Sequence, residues 1–266
     1  MTKLILRGSM KVKAFFIAFS ISLLIAACGP KVNPPSGQEP IIPEIQPESL
    51  EETQPQMEVL PVKNVLCPEY YREEFGGTET TTCWQPLRPL IVVGNDRDKV
   101  TTGLTESGIK IRVDATNTYA YILYPGGTYT DVIVSAEVTS TGVNNHGAVL
   151  MCRATDSGWY EARVSTAGYF SVFKYEHARD IAGRNAYYDY VLDRPSGDIE
   201  MGTEKTNAIQ LACMGDSLIL TINGKEVFNR KVATDFTEPG LIGIGTLSFT
   251  HHPVSLIFNS ITISKP

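Results

Sequence analysis

The acidic residues are where chemistry would be expected first, because hydrolysis of a glycosidic bond needs two carboxyl groups, one acid and one base or nucleophile. The nearest candidate for such a pair is the run that contains Asp198, Glu200 and Glu204. A glycine interrupts this run and a Pro-Ser-Gly sequence precedes it, so the pattern predicts a solvated loop. No catalytic residue is therefore predicted. A hydrolase whose acids lie in loops, including Glu161 and Glu200, stays open as an alternative.

Metal ligation and nucleophilic catalysis have weak signals. His251 and His252 are adjacent, so on a strand they face opposite ways and cannot clamp one ion. His146 lies at a predicted turn and is interpreted as a surface histidine. The chain has no G-x-S-x-G and no H-E-x-x-H sequence. No metal or cofactor is predicted. Calcium sites do occur in β-sandwich proteins, where loop carboxylates bind the ion, and Asp131, Asp156 and Asp235 lie near predicted loops of this chain.

The five cysteines suggest one modification site and two disulfides. Without Cys28 an even number remains, with no C-x-x-C spacing, which in an exported chain favours disulfides over metal binding. Cys152 and Cys213 each share the inward face of an alternating strand. If those strands are neighbours in one sheet, the two thiols can be bridged, and Cys67 would then pair with Cys83. Two buried free thiols remain the alternative for the first pair.

The N-terminal residues predict export and lipidation. Lys11 and Lys13 precede an apolar run over residues 14–27, which is too short to span a membrane but is typical of a secretory signal. The run ends in Ile-Ala-Ala before Cys28, which resembles the lipobox of bacterial lipoproteins. We expect residues 1–27 to be a signal peptide and Cys28 to carry the lipid that anchors the protein outside the cytoplasm. An ordinary signal with an incidental cysteine is the alternative.

Residues 28–64 are predicted to be a disordered stalk. Eight of the sixteen prolines fall between Pro30 and Pro61, with Gln, Glu and Ser between them. Proline at this density removes backbone donors and favours extended polyproline geometry over a packed core.

The charge of the chain argues against nucleic acid as a partner. It has 23 Lys and Arg residues against 29 Asp and Glu, a net charge of -6. The signal contains four of the basic residues and no acidic one, so its removal brings the net charge to -10. Phosphate backbones repel an acidic protein.

The residues after the stalk predict an all-β domain over residues 65–266. Residues 207–229 alternate apolar and polar side chains around Gly215-Asp216 and Asn223-Gly224, which predicts a three-strand meander with two tight turns. Turns recur every 8 to 12 residues elsewhere, which is typical of a β-sandwich. Further strands are predicted, with these bounds: 109–113, 119–123, 131–139, 148–154, 159–164, 169–175, 187–192, 241–247 and 254–263. A first strand near residues 70–75 could close against the last one.

One strand face carries the candidate ligand-binding residues. Alternation places Trp159, Glu161 and Arg163 together, and Arg153 opposite in sense to inward Cys152. Buried unpaired charges are costly, so we expect this face to be the solvent side of a sheet. Sugars stack on aromatic rings and hydrogen-bond to Arg and Glu. These residues, with Tyr175 at the edge, are the predicted ligand site, although aromatic residues also pack across strands for structural reasons alone.

Several residue runs resemble a known family. They are Tyr71-x-x-x-Phe75-Gly76-Gly77 with Trp84, Asn145 to Arg153, Gly158 to Glu161, Asn207 to Gly215, Asn223-Gly224 and Leu256-x-Phe258. Together they resemble concanavalin A-like (laminin-G-like) jelly-roll lipoproteins of the Chloroflexota, over about residues 66–266. The resemblance implies a two-sheet antiparallel sandwich with a first strand at residues 73–75.

The favoured function is a non-catalytic surface module that binds a glycan or a partner protein, because no catalytic constellation is apparent. The alternatives are the hydrolase above and a structural protein of the envelope. The fold alone does not decide among them.

Overall fold

The folded chain contains the strands expected from the sequence, together with two that were not expected. In the computed structural model, the described residues are 67–75, 83–84, 91–93, 97–142, 146–182, 185–232 and 238–266, with residues 91–93 and 181 described by backbone alone. They belong to one compact unit, Leu60–Pro266. The predicted signal, the lipidation site Cys28 and the stalk lie outside the described residues.

The described chain is built of strands, and each pairing between them is antiparallel. In chain order they are β1 (Tyr71–Glu74), β2 (Ile91–Val93), β3 (Val100–Thr105), β4 (Gly108–Val113), β5 (Thr118–Leu123), β6 (Val132–Ser140), β7 (His146–Thr155), β8 (Gly158–Ser165), β9 (Tyr169–Glu176), β10 (Tyr187–Pro195), β11 (Thr206–Met214), β12 (Ser217–Ile222), β13 (Lys225–Lys231), β14 (Leu241–Ser248) and β15 (Val254–Ser264). A 3-10 helix, Arg97–Lys99, precedes β3, and α1 (His177–Ile181) follows β9.

These strands form two sheets. Sheet I has the order β13-β12-β11-β6-β15-β4-β3, with β1 also paired to β15. Sheet II has the order β10-β9-β8-β7-β14-β5-β2. The predicted two-sheet antiparallel sandwich is confirmed, as is the closure of the first strand against the last. β2 and β3 have no counterpart among the strands predicted from the sequence.

The core lies between the sheets and follows from the period-two alternation. On β12, Leu218, Leu220 and Ile222 are fully buried while the residues between them are partly exposed. Burial of a side chain of this size stabilises the fold by about 1.5–3 kcal/mol. The meander is confirmed, since β11, β12 and β13 pair in sequence and the tight turn between β12 and β13 has positive φ at Asn223 and Gly224.

Both predicted disulfides are formed. We call Cys152–Cys213 the inter-sheet disulfide and Cys67–Cys83 the N-terminal disulfide. The expected reason for the first was wrong. Cys152 lies on β7 of sheet II and Cys213 on β11 of sheet I, so the bond crosses the core and does not join neighbouring strands. Alternation gave the inward direction of both side chains but not the sheet to which each strand belongs.

Two expectations about polar residues have different outcomes. The run from Asp198 to Glu204 is a loop between β10 and β11, as predicted. His146 is not a surface residue at a turn, because it begins β7 and is fully buried, with Nε2 3.0 Å from Ser140 Oγ. A strand that begins earlier than its apolar residues suggest takes the histidine into the interior.

Candidate functional site

The outer face of sheet II, which is turned away from sheet I, carries most of the predicted site. On β8, Tyr160, Ala162 and Val164 pack into the inter-sheet core, whereas Trp159 belongs to a second cluster on the opposite side. Glu161 and Arg163 share the side of Trp159 by alternation. The predicted direction of this face is therefore confirmed, but its predicted exposure is wrong. Trp159 is 5% exposed, Glu161 0% and Arg163 9%.

The Glu161 carboxylate is buried because three side chains bond to it. Trp159 Nε1 donates to Oε2 at 2.7 Å, and the Tyr121 hydroxyl donates to the same oxygen at 3.0 Å. Arg163 Nε donates to Oε1, and its Nη2 is also in ion-pair contact with Oε1. We call these four residues the carboxylate network. Buried charge is tolerated where it is paired and hydrogen-bonded, and the sequence argument had treated the charges as unpaired.

Aromatic rings surround the other partner of the ion pair. The Arg163 guanidinium carbon lies 4.2 Å from the centre of the Phe173 ring, 4.6 Å from Tyr187 and 5.0 Å from Tyr119. Rings at this distance attract a cation through their negative faces. Burial is the largest single influence on the pKa of Arg163 and lowers it. The charge of Glu161 and the smaller contributions of Tyr121, Tyr187 and Tyr119 together outweigh burial and hold the pKa above its ordinary value, so the side chain stays protonated.

Tyrosine ionisation is suppressed around the same carboxylate. Burial, then the charge of Glu161, holds the pKa of Tyr121 well above its ordinary value, and the same two causes raise the pKa of Tyr187. The two hydroxyl oxygens lie 3.3 Å apart. Both tyrosines are therefore neutral hydroxyl groups throughout the physiological range.

Glycine on β14 makes room for this arrangement. Gly245 stands opposite both Tyr121 on β5 and Val149 on β7. A Cβ on Gly245 would lie 2.5 Å from Ala120 O and 2.8 Å from Tyr121 Cδ1. The missing side chain allows the Tyr121 ring to lie across β14 and bring its hydroxyl to Glu161.

Tyr175, which was predicted to lie at the edge of a ligand site, packs beside the carboxylate network and is 4% exposed. Its ring stacks on Trp159 with centroids 3.9 Å apart and an interplanar angle of 20°. Its hydroxyl donates to Asp180 Oδ2 at 2.9 Å. Burial, then this hydrogen bond, raises the pKa of Tyr175 to about 12. The ring braces Trp159 and offers little surface to a ligand.

Arg153 is not part of this group, which corrects the prediction that it lines the same site. Its backbone has φ 51°, in a β-bulge where the pairing of β7 with β8 shifts between Cys152 and Thr155. The side chain is 2% exposed and donates to Thr130 O and to Gly215 O, each at 2.7 Å. A bulge re-aims the side chains that follow it. Here it turns the guanidinium onto the loop between β5 and β6 and onto the turn between β11 and β12.

A cleft beside Arg163 is the accessible part of this face. Its volume is about 510 Å³, within the range of small-molecule sites. It is lined by residues of β7, β8, β9, β10 and β14 and of the turns that follow β8 and β14: Gly147, Arg163, Ser165, Ala167, Tyr169, Ser171, Phe173, Leu192, Asp193, Leu247 and Phe249. Tyr169 is 45% exposed and Leu192 58% exposed at its mouth. Of the residues predicted to line a ligand site, only Arg163 lines this cleft.

The cleft residues that the sequence analysis missed carry one usable signal. The alternation of β9 places Tyr169, Ser171 and Phe173 on the face of Trp159 and Arg163, because these strands are neighbours. Leu192 and Asp193 have no such signal, since they occupy an irregular part of β10. Strand alternation could have predicted the three residues of β9, but it could not have predicted the two residues of β10.

The two carboxylates of the alternative hydrolase are not assembled. Glu161 is enclosed by the carboxylate network, while Glu200 lies on the exposed loop after β10, with its carboxylate 4.0 Å from Lys205 Nζ. Within the described ranges, the hydrogen-bond and ion-pair partners of Glu161 differ from those of Glu200. Among the described residues, no group of three or more His, Cys, Asp or Glu side chains could hold a metal ion. None of the described helices has both the length and the apolar character needed to cross a membrane.

Comparisons with known proteins concern the fold. No family model matches the chain, and no similar sequence was found among curated proteins. A structure from the endo-acting O-glycanases that members of the human gut microbiota express is 10% identical, with a TM-score of 0.50, over 74% of this chain and 98% of that one. This likeness shows a jelly-roll sandwich of the concanavalin A-like type, as predicted.

Two further structures are similar at lower scores. The carbohydrate-binding module CBM66 from Bacillus subtilis is 17% identical, with a TM-score of 0.48, over 62% of this chain and 92% of that one. The Bacillus licheniformis β-glucanase is 13% identical, with a TM-score of 0.46, over 74% of this chain and 98% of that one.

Proposed function

We propose that this protein binds a saccharide, without transforming it, in the cleft on the outer face of sheet II. The observation that carries the proposal is the composition of the cleft, in which Tyr169, Phe173 and Phe249 adjoin a guanidinium and a carboxylate. Aromatic rings provide flat apolar surface for the C–H faces of a sugar ring, and a few placed polar groups fix its orientation.

The carboxylate network supports binding rather than hydrolysis. Glu161 is fully buried and its oxygens already accept hydrogen bonds from Trp159, Tyr121 and Arg163. A glycosidase needs two carboxyl groups that flank the scissile bond. Asp193 is the only carboxylate among the residues that line the cleft, so the second group is missing from that set. Glu161 instead fixes Arg163 in one position, which lowers the entropy cost of using the guanidinium as a donor.

We also propose that the protein is displayed outside the cytoplasm on a lipid anchor at Cys28, as in the Chloroflexota lipoproteins that it resembles. Two disulfides support an oxidising compartment. The proline-rich residues 28–64 would hold the sandwich away from the membrane as an extended spacer. Mass spectrometry of the mature N-terminus should find a diacylglyceryl group on Cys28, and recovery of an unmodified chain from the medium would contradict the anchor.

The saccharide proposal is tested with the full-length chain on an array of neutral and acidic oligosaccharides. Tyr169→Ala removes exposed ring surface at the mouth of the cleft. Stacking of a nucleic-acid base on an aromatic side chain is worth about 1–3 kcal/mol, and we expect a loss at the lower end of this range for a sugar face. We therefore expect at least about fivefold weaker binding with an unchanged melting temperature. Tyr188→Ala is the matched control, because Tyr188 is 51% exposed but does not line the cleft.

Two results would overturn the proposal. One is that the parent protein binds no saccharide on the array. The other is that Tyr169→Ala and Tyr188→Ala bind as the parent does. Trp159→Ala is a poor probe, because Trp159 is buried and donates to Glu161, so its loss disturbs the fold as well as any site.

A further inference from the structure

Two consecutive residues of β10 line the cleft, which a regular strand does not allow. Successive side chains of a strand point to opposite faces. Leu192 and Asp193 nevertheless both contribute to the cleft. The pairing with β9 explains this, because Val191 pairs with Val172 and Arg194 with Phe170, leaving two residues of β10 opposite one residue of β9. Such a bulge re-aims a side chain that would otherwise point away.

Asp193 is held in this unusual position. Its φ is 45°, in the left-handed region that costs most residues about 1–2 kcal/mol and that aspartate tolerates better than most. Its backbone N–H donates to Ser171 Oγ at 2.9 Å, and Ser171 Oγ donates back to Asp193 Oδ1 at 3.2 Å. The serine thus fixes both the backbone and the carboxylate, while Asp193 itself remains exposed.

The carboxylate decides the net charge of the cleft. Arg163 and Asp193 are the charged residues among those that line it. The charge of Arg163 is balanced by Glu161, with which it forms a buried ion pair. The remaining charge is the single negative charge of Asp193. Arg163 lies on β8 and Asp193 on β10, with β9 between them. Two strand spacings separate the residues by about 10 Å, so a donor and an acceptor stand on opposite sides of the cleft.

We infer that Asp193 is a specificity-determining residue that selects uncharged saccharides and rejects those carrying a carboxylate or sulfate in the cleft. The inference rests on the proposed function. Asp193 accepts hydrogen bonds from sugar hydroxyl groups, whereas an anionic substituent meets a fixed like charge. The apolar lining, with Leu192 and Phe249, adds no compensating cation.

The experiment compares matched ligands on the full-length protein. A neutral oligosaccharide bound on the array is measured by calorimetry beside the same oligosaccharide oxidised at C6 to the uronic acid, with polygalacturonate as a fixed acidic reference. We expect the parent to prefer the neutral form. Asp193→Asn keeps the shape of the side chain, and asparagine also tolerates positive φ. The variant should reduce the preference for the neutral over the acidic oligosaccharide about fivefold, because this is the effect expected of one like charge in a solvated cleft. Asp189→Asn is the control on the same strand, since Asp189 is exposed and lies outside the cleft lining.

The possible failures are distinguishable. If the parent binds no saccharide, the proposed function fails and the inference fails with it. If the parent binds the acidic form as well as the neutral form, or if Asp193→Asn leaves the preference unchanged, the inference is wrong while the proposed function stands. Raising the salt concentration supplies a test without a variant, because screening should narrow the preference of the parent protein.

Discussion

Replacing Glu161 by glutamine removes one charge from the carboxylate network while keeping the shape of the side chain. The Glu161 side chain is 0% exposed and that of Arg163 is 10% exposed, so water cannot replace the lost partner. The guanidinium then stays between Phe173, Tyr187 and Tyr119 without a counter-charge. The rings attract a cation but do not neutralise it.

The expected loss follows from the cost of leaving a buried charge alone. Removal of one partner of a buried ion pair destabilises a protein by about 3–5 kcal/mol. For a domain of this size, each kcal/mol lowers the melting temperature by about 2–4 °C, so Glu161→Gln should lower it by about 6–20 °C. The Trp159 N–H can still donate to the amide oxygen, which keeps the loss within this range.

Equilibrium unfolding in guanidinium chloride, followed by tryptophan fluorescence, measures the effect. Glu137→Gln is the matched control on the exposed outer face of sheet I, and should change stability by less than about 0.5 kcal/mol. The double variant Glu161→Gln with Arg163→Met should recover much of the loss, because it removes the unpaired cation. A loss below about 1 kcal/mol in Glu161→Gln, or a double variant no more stable than Glu161→Gln, would refute the argument.

Three further predictions concern the packing, the cross-links and the alkaline stability of the sandwich. Gly245→Ala should destabilise the protein by about 1–3 kcal/mol, because the new Cβ would lie 2.5 Å from Ala120 O. Gly147→Ala should be tolerated, because the atom nearest to its Cβ would be 3.4 Å away. The melting temperatures of both variants test this difference. The inter-sheet disulfide spans 61 residues and the N-terminal disulfide spans 16. Removing the first should lower the free energy of unfolding by about 4 kcal/mol and removing the second by about 3 kcal/mol. Denaturant titration of variants in which both cysteines of a pair are replaced by alanine tests this order. Burial raises the pKa of Tyr175 to about 12, so the folded chain keeps a proton that the unfolded chain loses near pH 10. The free energy of unfolding should therefore fall from pH 10 towards pH 12, and it should fall less steeply in Tyr175→Phe. An equal slope in both proteins would contradict this.

Local alternation was sufficient to predict most of the strands and the direction of their side chains. The alternation of β11 and β12 is regular, and Gly215, Asn223 and Gly224 mark their ends, so the meander follows from short-range rules. The pairing of sheets does not, since Cys152 and Cys213 face inward whether their strands are neighbours or opposite each other. Sheet membership depends on contacts between residues far apart in the chain.

The site was harder to predict than the fold, because its burial depends on partners contributed by other strands. Glu161 was expected to be exposed on account of its charge, but Tyr121, forty residues earlier in the chain, helps to bury it. The bulges at Arg153 and at Asp193 interrupt the strict alternation of side chains, and this alternation is what predicts the face of the sheet to which each side chain points. The predicted side-chain direction was thus correct for Trp159, Glu161 and Arg163 on a regular strand, but their predicted exposure and the placement of Arg153 were wrong.

The N-terminal disulfide has a mechanical consequence. Strand β1 lies between Cys67 and Cys83, inside the loop that this bond closes. If the protein is held by its N-terminal segment, as we propose, tension enters the sandwich at Cys67 and passes through the sulfur atoms to Cys83. The four residues of β1, which pair with β15, then bear none of the load. A pulled molecule therefore keeps its first strand in place, and the force acts on Trp84 and the chain beyond it.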